Sequence, residues 1–258
     1  MPVHLSVEGM VATLTLDEPG RKNAMTPELG DALKARVEEV KQRSDVRAVV
    51  VMGAGGAFSG GGDLAMLQQL RSVSSDEARR FMLGFYARYL SVLELEVPTV
   101  AAVEGAAMGA GLCLALACDF MVVQSDAKLG LNFVQLGLHP GMGATYFVAR
   151  RAGAQVAAKL LMTGERFDGG DAVGLGLALE EYPAGNVLPA AMKLASTLAA
   201  QAPLAVKALK AELGVDRAAL QKCLEAEAAH QAVSYGSADM AEGLAAAAAR
   251  RAPVFRGS

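Results

Sequence analysis

The sequence predicts an α/β protein: an alternating strand-and-helix core followed by a helical C-terminal region. Three observations carry that prediction. Valine-rich, largely apolar runs at Val46 to Met52, interrupted only by Arg47, and Pro98 to Val103 read as parallel strands buried on both faces. Each run leads into a glycine-rich loop and then a helical pattern. From Asn186 onward strand signals disappear and alanine-rich helical patterning takes over, so the chain divides into an α/β core over 1–195 and a helical region over 196–258. With 258 residues, 53% hydrophobic and 20% charged, the chain can bury a sizeable core and is too apolar for disorder.

The elements follow in order. Val3 to Leu16 alternates like a hairpin turning at Glu8-Gly9. Thr26-Pro27-Glu28 supplies an N-cap, a proline for the first helical position and an early acid, and opens an amphipathic helix to about Gln42. After the Val46 strand comes the loop GAGGAFSGGGDL, then a helical stretch from Asp63 to Leu95 broken near Ser72 to Ser75. The strand ending at Val103 enters a second loop, Gly105 to Gly111, which feeds a short apolar helix, Leu112 to Ala117. Asp119 to Val123 and Lys128 to Leu131 read as further strands. Ala144 to Ala152 and Ala154 to Thr163 read as helices.

Composition excludes several classes. A net charge of −3 with no dense Lys/Arg block argues against a nucleic-acid partner. Three cysteines, Cys113, Cys118 and Cys223, form neither a disulfide framework nor a metal-binding pair, so reduced thiols and no metal site are expected. The N-terminus lacks the basic and continuous apolar regions of a signal peptide, and no long uncharged apolar window exists. The expectation is a cytoplasmic protein with no membrane span.

The two glycine loops are the candidate chemistry. Each lies between a buried strand and a helix, where backbone can approach a ligand closely and unpaired N–H groups carry a favourable partial charge. Neither fits a phosphate fingerprint: the first has no Gly-Lys-Ser/Thr, and the second lacks the ribose-binding acid about 20 residues on. Two such amides aimed at one point would stabilise a developing oxyanion.

AFSGGGDL (Ala57 to Leu64) together with AAVEGAAMGAGLCLALACDF (Ala101 to Phe120) resembles the enoyl-CoA hydratase/isomerase superfamily, the crotonase fold. RKNAM (Arg21 to Met25), LGLHPGMGAT (Leu136 to Thr145), FDGGDAVGLGLALE (Phe167 to Glu180) and ADMAEGLAAAAARRAPVF (Ala238 to Phe255) resemble further stretches of that family in the right order. The resemblance implies a spiral of ββα units, a homotrimer or dimer of trimers, and a thioester held in an oxyanion hole. It assigns the two amide donors to Gly60 and Ala110. Lys22, Ala24, Gly61, Gly62, Asp63, Leu64, Cys113 and Phe133 would line the substrate groove, with Asp63 capping the helix after the loop. CoA, or a carrier protein's pantetheine, would arrive as part of the substrate, and no separate cofactor is expected.

The acids that the family uses for hydration are missing by the same resemblance. One glutamate position holds Cys113, a second holds Phe133, and a third site used by some isomerases holds Gly141. Without a base to take water's proton or an acid to deliver it, about two to four orders of magnitude in rate disappear per lost group. Decarboxylation, isomerisation or thioester hydrolysis is therefore expected over ordinary hydration. NFVQLGLHPGMGAT also resembles decarboxylating members, which carry a lysine where Leu64 stands and a histidine where His230 stands. Among replacements His139 is the first suspect, since an imidazole titrates near neutral pH. Tyr86 or Tyr89, in a stripe of core or pocket-wall residues, would offer a phenol. Asn132 and Gln135 would hold a water without taking its proton, and Glu104 reads as a structural contact. The alternative to an enzyme is a catalytically silent subunit that binds a CoA thioester or serves in assembly.

Overall fold

The computed structural model describes residues 2–258. Strands β1 (Val3–Glu8) and β2 (Val11–Leu16) form the expected antiparallel hairpin. Helix α1 (Pro27–Lys41) starts where the sequence predicts, with the Thr26 hydroxyl accepting the Leu29 N–H. Strands β3 (Ala48–Gly53), β4 (Thr99–Val103), β6 (Phe120–Gln124) and β9 (Glu180–Tyr182) then join β2 in parallel. The resulting six-stranded sheet has the order β1-β2-β3-β4-β6-β9. Every residue of β4 is buried, as a strand covered on both faces requires.

One face of the sheet meets α7 (Val187–Ala199). Its Ala191, Ala195 and Ala199 pack on Val50, Val100 and Val122, and the small side chains let helix and sheet approach closely. The division expected at 195/196 falls inside this helix. The other face meets the larger core, including α1, α3 (Ser75–Tyr89) and the wholly buried α4 (Ala110–Ala117). The break foreseen near Ser72 separates α2 (Leu64–Leu70) from α3, which Ser74 and Glu77 open with a reciprocal capping box.

A second, three-stranded sheet positions the site. It consists of β5 (Ala106–Met108), β7 (Lys128–Gly130) and β8 (Arg166–Phe167) in the order β5-β7-β8. The expected strand at Lys128 thus belongs here and not to the main sheet. Strand β5 lies within the second glycine loop, where its short Ala-Ala-Met run gives too little periodicity to be foreseen. Helix α5 (Ala144–Thr163) is interrupted at Gly153 (φ 81, ψ 167), where two helices were expected. After α6 (Gly169–Gly174) come α8 (Pro203–Leu213), α9 (Arg217–Tyr235) and α10 (Ala238–Ala249). Helix α9 runs along α3, and α10 packs on the turn at Val134–Leu136, so the helical region folds back over the loops of its own chain.

Candidate active site

The first glycine loop runs beside β5 almost as an extra strand. Phe58 N donates to Glu104 O (2.9 Å), Ser59 N to Ala106 O (3.0 Å) and Met108 N to Ser59 O (3.0 Å). Two glycines make that approach possible. A side-chain carbon on Gly61 (φ +88) would lie 2.5 Å from Met108 O, and one on Gly111 would lie 2.6 Å from Ser59 Cβ. Asn23 fixes the loop from outside, with its amide nitrogen donating to Ala54 O (3.0 Å) and Ala57 O (2.8 Å).

This pairing decides which amides remain available. Gly60 N–H, one of the two expected donors, is already given to Lys22 O (2.7 Å). Gly61 N–H goes to Ser59 Oγ (3.2 Å) and Asp63 N–H to Met25 O (3.1 Å). Gly62 N–H has no backbone acceptor among the described residues, so of the three glycine amides it is the one left open, while that of the expected Gly60 is spent. On the facing side Gly109 N–H is bonded to Gly130 O (2.8 Å), while Ala110 opens α4 with its amide among the unpaired groups of the first turn. A side-chain carbon on Gly61 would sit 3.9 Å from Ala110 N, so the two loops touch at this point. Gly60, Gly61, Gly62, Leu64, Ala110 and Phe133 all line one cavity of about 270 Å³.

The remaining candidates fall elsewhere. Asp63 caps α2 by accepting the Met66 N–H (2.9 Å) and pairs with Arg21 (2.5 Å). Burial raises its carboxyl, but Met66 and Arg21 together hold it below the ordinary value. Lys22 lies beside Gly60, and neither it nor Ala24 is on the cavity wall. Cys113, expected in the groove, is fully buried off the wall, with its Sγ 3.7 Å from Gly141 O. Burial, then the nearby Glu227 charge, pushes its thiol well above the usual range, and it packs as a small apolar side chain.

His139 is also displaced from its expected role. Its ring lies 4.8 Å from that of His230, its Nδ1 is 2.7 Å from Pro140 O, and it is absent from the cavity wall. Burial and the neighbouring His230 lower its pKa. The loop's backbone is turned this way by α9. Gln231 Nε2 donates to His139 O (2.9 Å), Ser234 Oγ accepts from His139 N (3.2 Å), and the buried Glu227 accepts from Gly143 N (2.7 Å), Thr145 N (2.9 Å) and Thr145 Oγ1 (2.7 Å). Burial pushes the Glu227 carboxyl above its ordinary range against the pull of these donors. The sequence reading missed Glu227, whose helical neighbours gave no sign that a carboxylate would face inward.

The wall presents two phenols: Tyr235, whose Oη donates to Met82 Sδ (3.3 Å), and Tyr86, whose Oη donates to Gln231 Oε1 (2.7 Å). Burial above all, and then the Glu227 charge, raises this phenol well above its ordinary pKa. Tyr89 is spent on Thr26 O (2.6 Å) away from the cavity. Among the described residues the wall carries no carboxylate, and no cluster of three or more side chains suited to a metal occurs. No helix among them is long and apolar enough to cross a membrane.

Comparison with known proteins gives the family and the fold. The sequence profile of the family described as enoyl-CoA hydratase/isomerase matches residues 6–258. A protein named probable enoyl-CoA hydratase EchA14, from Mycobacterium tuberculosis H37Rv, is 40% identical over 255 residues, 95% of this chain and 97% of its own. A putative enoyl-CoA hydratase from Thermus thermophilus is 33% identical over 249 residues, covering 96% and 98%. The crystal structure of an enoyl-CoA hydratase from Bacillus halodurans superposes with a TM-score of 0.88 at 26% identity, over 95% of this chain and all of that one. The structure of OdaA from Pseudomonas aeruginosa does so at 0.83 and 29% identity, over 95% and 98%. The fold is the crotonase fold, and the chain belongs to the enoyl-CoA hydratase/isomerase family.

Proposed function

We propose that this chain converts an acyl-CoA thioester through an enolate, with the thioester oxygen held by the amides of Gly62 and Ala110. The observation that carries the reading is the pair of unspent N–H groups, one from each glycine loop, on one cavity whose wall offers no carboxylate. Donors preset toward developing negative charge are typically worth about 3–4 kcal/mol each in acyl chemistry. They act equally well for hydration, isomerisation and decarboxylation. What separates these reactions is proton traffic.

Hydration needs a group to take a proton from water and one to deliver it to the α-carbon. Decarboxylation of a malonyl-type thioester, whose carboxylate is borne on the α-carbon, needs no base. The bond from the α-carbon to the carboxylate breaks, its electron pair enters the enolate, and CO2 departs. A proton is required only afterwards, at the α-carbon; of the two wall phenols we assign this to Tyr86, whose Oη is bonded to Gln231 beside Gly141, with the proton recovered from solvent. The relatives are named as hydratases, and the family is one of acyl-CoA processing. Decarboxylation is the reading that the wall residues favour within that family, acting as a homotrimer or dimer of trimers.

Incubation with crotonyl-, malonyl- and methylmalonyl-CoA, followed by mass spectrometry, tests this. Loss of 44 Da from a malonyl-type ester with little gain of 18 Da on crotonyl-CoA is expected. Hydration of crotonyl-CoA at a rate of the order of 10–1,000 per second would overturn it. Tight CoA binding with no turnover of any ester would favour the silent binding subunit.

A further inference from the structure

Arg166 is the single charged side chain on the cavity wall, and among the described residues it has no hydrogen-bond or ion-pair partner. The adjacent Glu165 is not its counter-ion, because that carboxylate pairs with Lys159 at 2.7 Å. Arg166 lies on β8, paired in register with Gly130 of β7, and its Cγ is 3.5 Å from where a side-chain carbon on Gly130 would stand. Gly130 O in turn accepts the N–H of Gly109, the residue directly before Ala110. One hydrogen bond and one peptide link therefore separate the strand position facing Arg166 from the proposed oxyanion donor. Arg166 thus joins the cavity wall from the strand next to its carbonyl end.

That placement narrows what the cation can meet. CoA's phosphates stand a whole pantetheine arm from the sulfur, so an anion close to the thioester carbonyl belongs to the acyl group. The rest of the wall there is apolar or neutral, with Met108, Phe133 and Leu136 among its members. A carboxylate entering it would lose hydration without recompense unless a cation received it. An arginine presents its donors as a planar fork that matches a carboxylate.

We propose that Arg166 selects acyl-CoA substrates whose acyl group carries a carboxylate of its own, that is, mono-thioesters of short dicarboxylic acids. The assignment rests on the thioester carbonyl lying at Gly62 and Ala110. Arg166 is itself exposed, so its contribution is discrimination between acyl groups more than affinity. It also acts in binding and not in bond breaking, because a cation that held a departing carboxylate too firmly would stabilise the ground state against CO2 loss.

The test is calorimetric binding of butyryl-CoA and glutaryl-CoA, which differ by one terminal carboxylate, to the wild-type chain and to Arg166→Gln. Wild type is expected to bind glutaryl-CoA about five- to tenfold more tightly, the scale of a partly exposed ion pair. Arg166→Gln should erase that gap while binding butyryl-CoA unchanged, and Arg166→Lys should restore part of it. The same comparison with S-butyryl- and S-glutaryl-pantetheine, which carry no phosphate, should show the same gap. No gap in the wild type overturns the proposal. So does an equal loss for both CoA esters in Arg166→Gln that vanishes with the pantetheine esters, which would place the guanidinium on a phosphate. If neither CoA ester binds wild type, the thioester site itself is refuted, a result distinct from failure of the Arg166 assignment.

Discussion

At Gly141, where some relatives by resemblance place an acid, a side-chain carbon would meet Tyr86 Oη at 2.4 Å and Gln231 Nε2 at 2.5 Å. The space of the missing acid is thus taken by a phenol and an amide hydrogen-bonded to each other. Tyr86→Phe is expected to lower turnover by about 100-fold or more if the phenol delivers the proton, the usual scale for losing a general acid. CoA-ester affinity should change little, so a fall in KM-type binding instead of kcat would count against the role. Because burial holds the phenol well above its ordinary pKa, no loss of activity from this group is expected as pH rises through neutrality. At this scale the sequence was only partly legible. Motif position assigned the amide donor to Gly60, the first of three consecutive glycines. Which of them keeps its N–H unspent depends on Lys22 O, which comes from another segment. Likewise Tyr86 and Tyr89 share a helix face and are both buried, and only their partners, Gln231 and Thr26, separate a phenol on the cavity wall from one away from it.

Among the elements, α9 is the one that holds the site loop in shape. Gly143, at the N-cap of α5, has no side chain to cap it, and Glu227 supplies the missing acceptor from across the core. Glu227→Ala would strand the buried Gly143 amide and the half-buried Thr145 amide and hydroxyl, and is expected to cost about 2–4 kcal/mol of stability, read by denaturant unfolding. The sequence revealed α9 as a helix but not this function, since a polar residue at a core position looks like any surface residue until its partners are known. The C-terminal segment shows the opposite electrostatic case. Arg251 bonds both oxygens of Glu242 (2.5 and 2.8 Å), Val254 N donates to Glu242 (2.8 Å), and Arg256 N and Gly257 N donate to Asp239 (2.7 and 2.8 Å). Arg251, the Val254 amide and Arg256 hold the Glu242 carboxyl at about 2, well below the ordinary glutamate range. A depressed folded-state pKa gives stability that is present above the unfolded value and lost as pH falls through the folded one. Protection of the amides over 251–257 relative to their intrinsic exchange rates should therefore fall between pH 4.5 and about 2, before that of the sheet, and Glu242→Gln should show the lower protection already at neutral pH.

At the level of the whole molecule, α8 has no buried residue, although its sequence is as apolar as its neighbours'. It is tied to the body by charge: Lys207 reaches Glu96 (2.5 Å), and Lys210 reaches Asp119 and Val97 O (2.7 Å each). Leu204, Leu209 and Leu213 are left 83%, 53% and 73% exposed. Fully covering a leucine contributes about 1.5–3 kcal/mol, so three on one short helix represent a large unmet driving force in a single chain. A symmetric assembly of the kind the family resemblance implies would meet it, with the same helix buried in every copy. The wild-type chain should elute with light scattering near three or six times its 26.6 kDa mass. Leu204→Lys combined with Leu213→Lys should shift that mass toward the monomer while leaving the far-ultraviolet dichroism of the fold in place. A wild-type chain that is already monomeric at micromolar concentration, or a doubly substituted chain that stays assembled, would show that α8 is not where the copies meet.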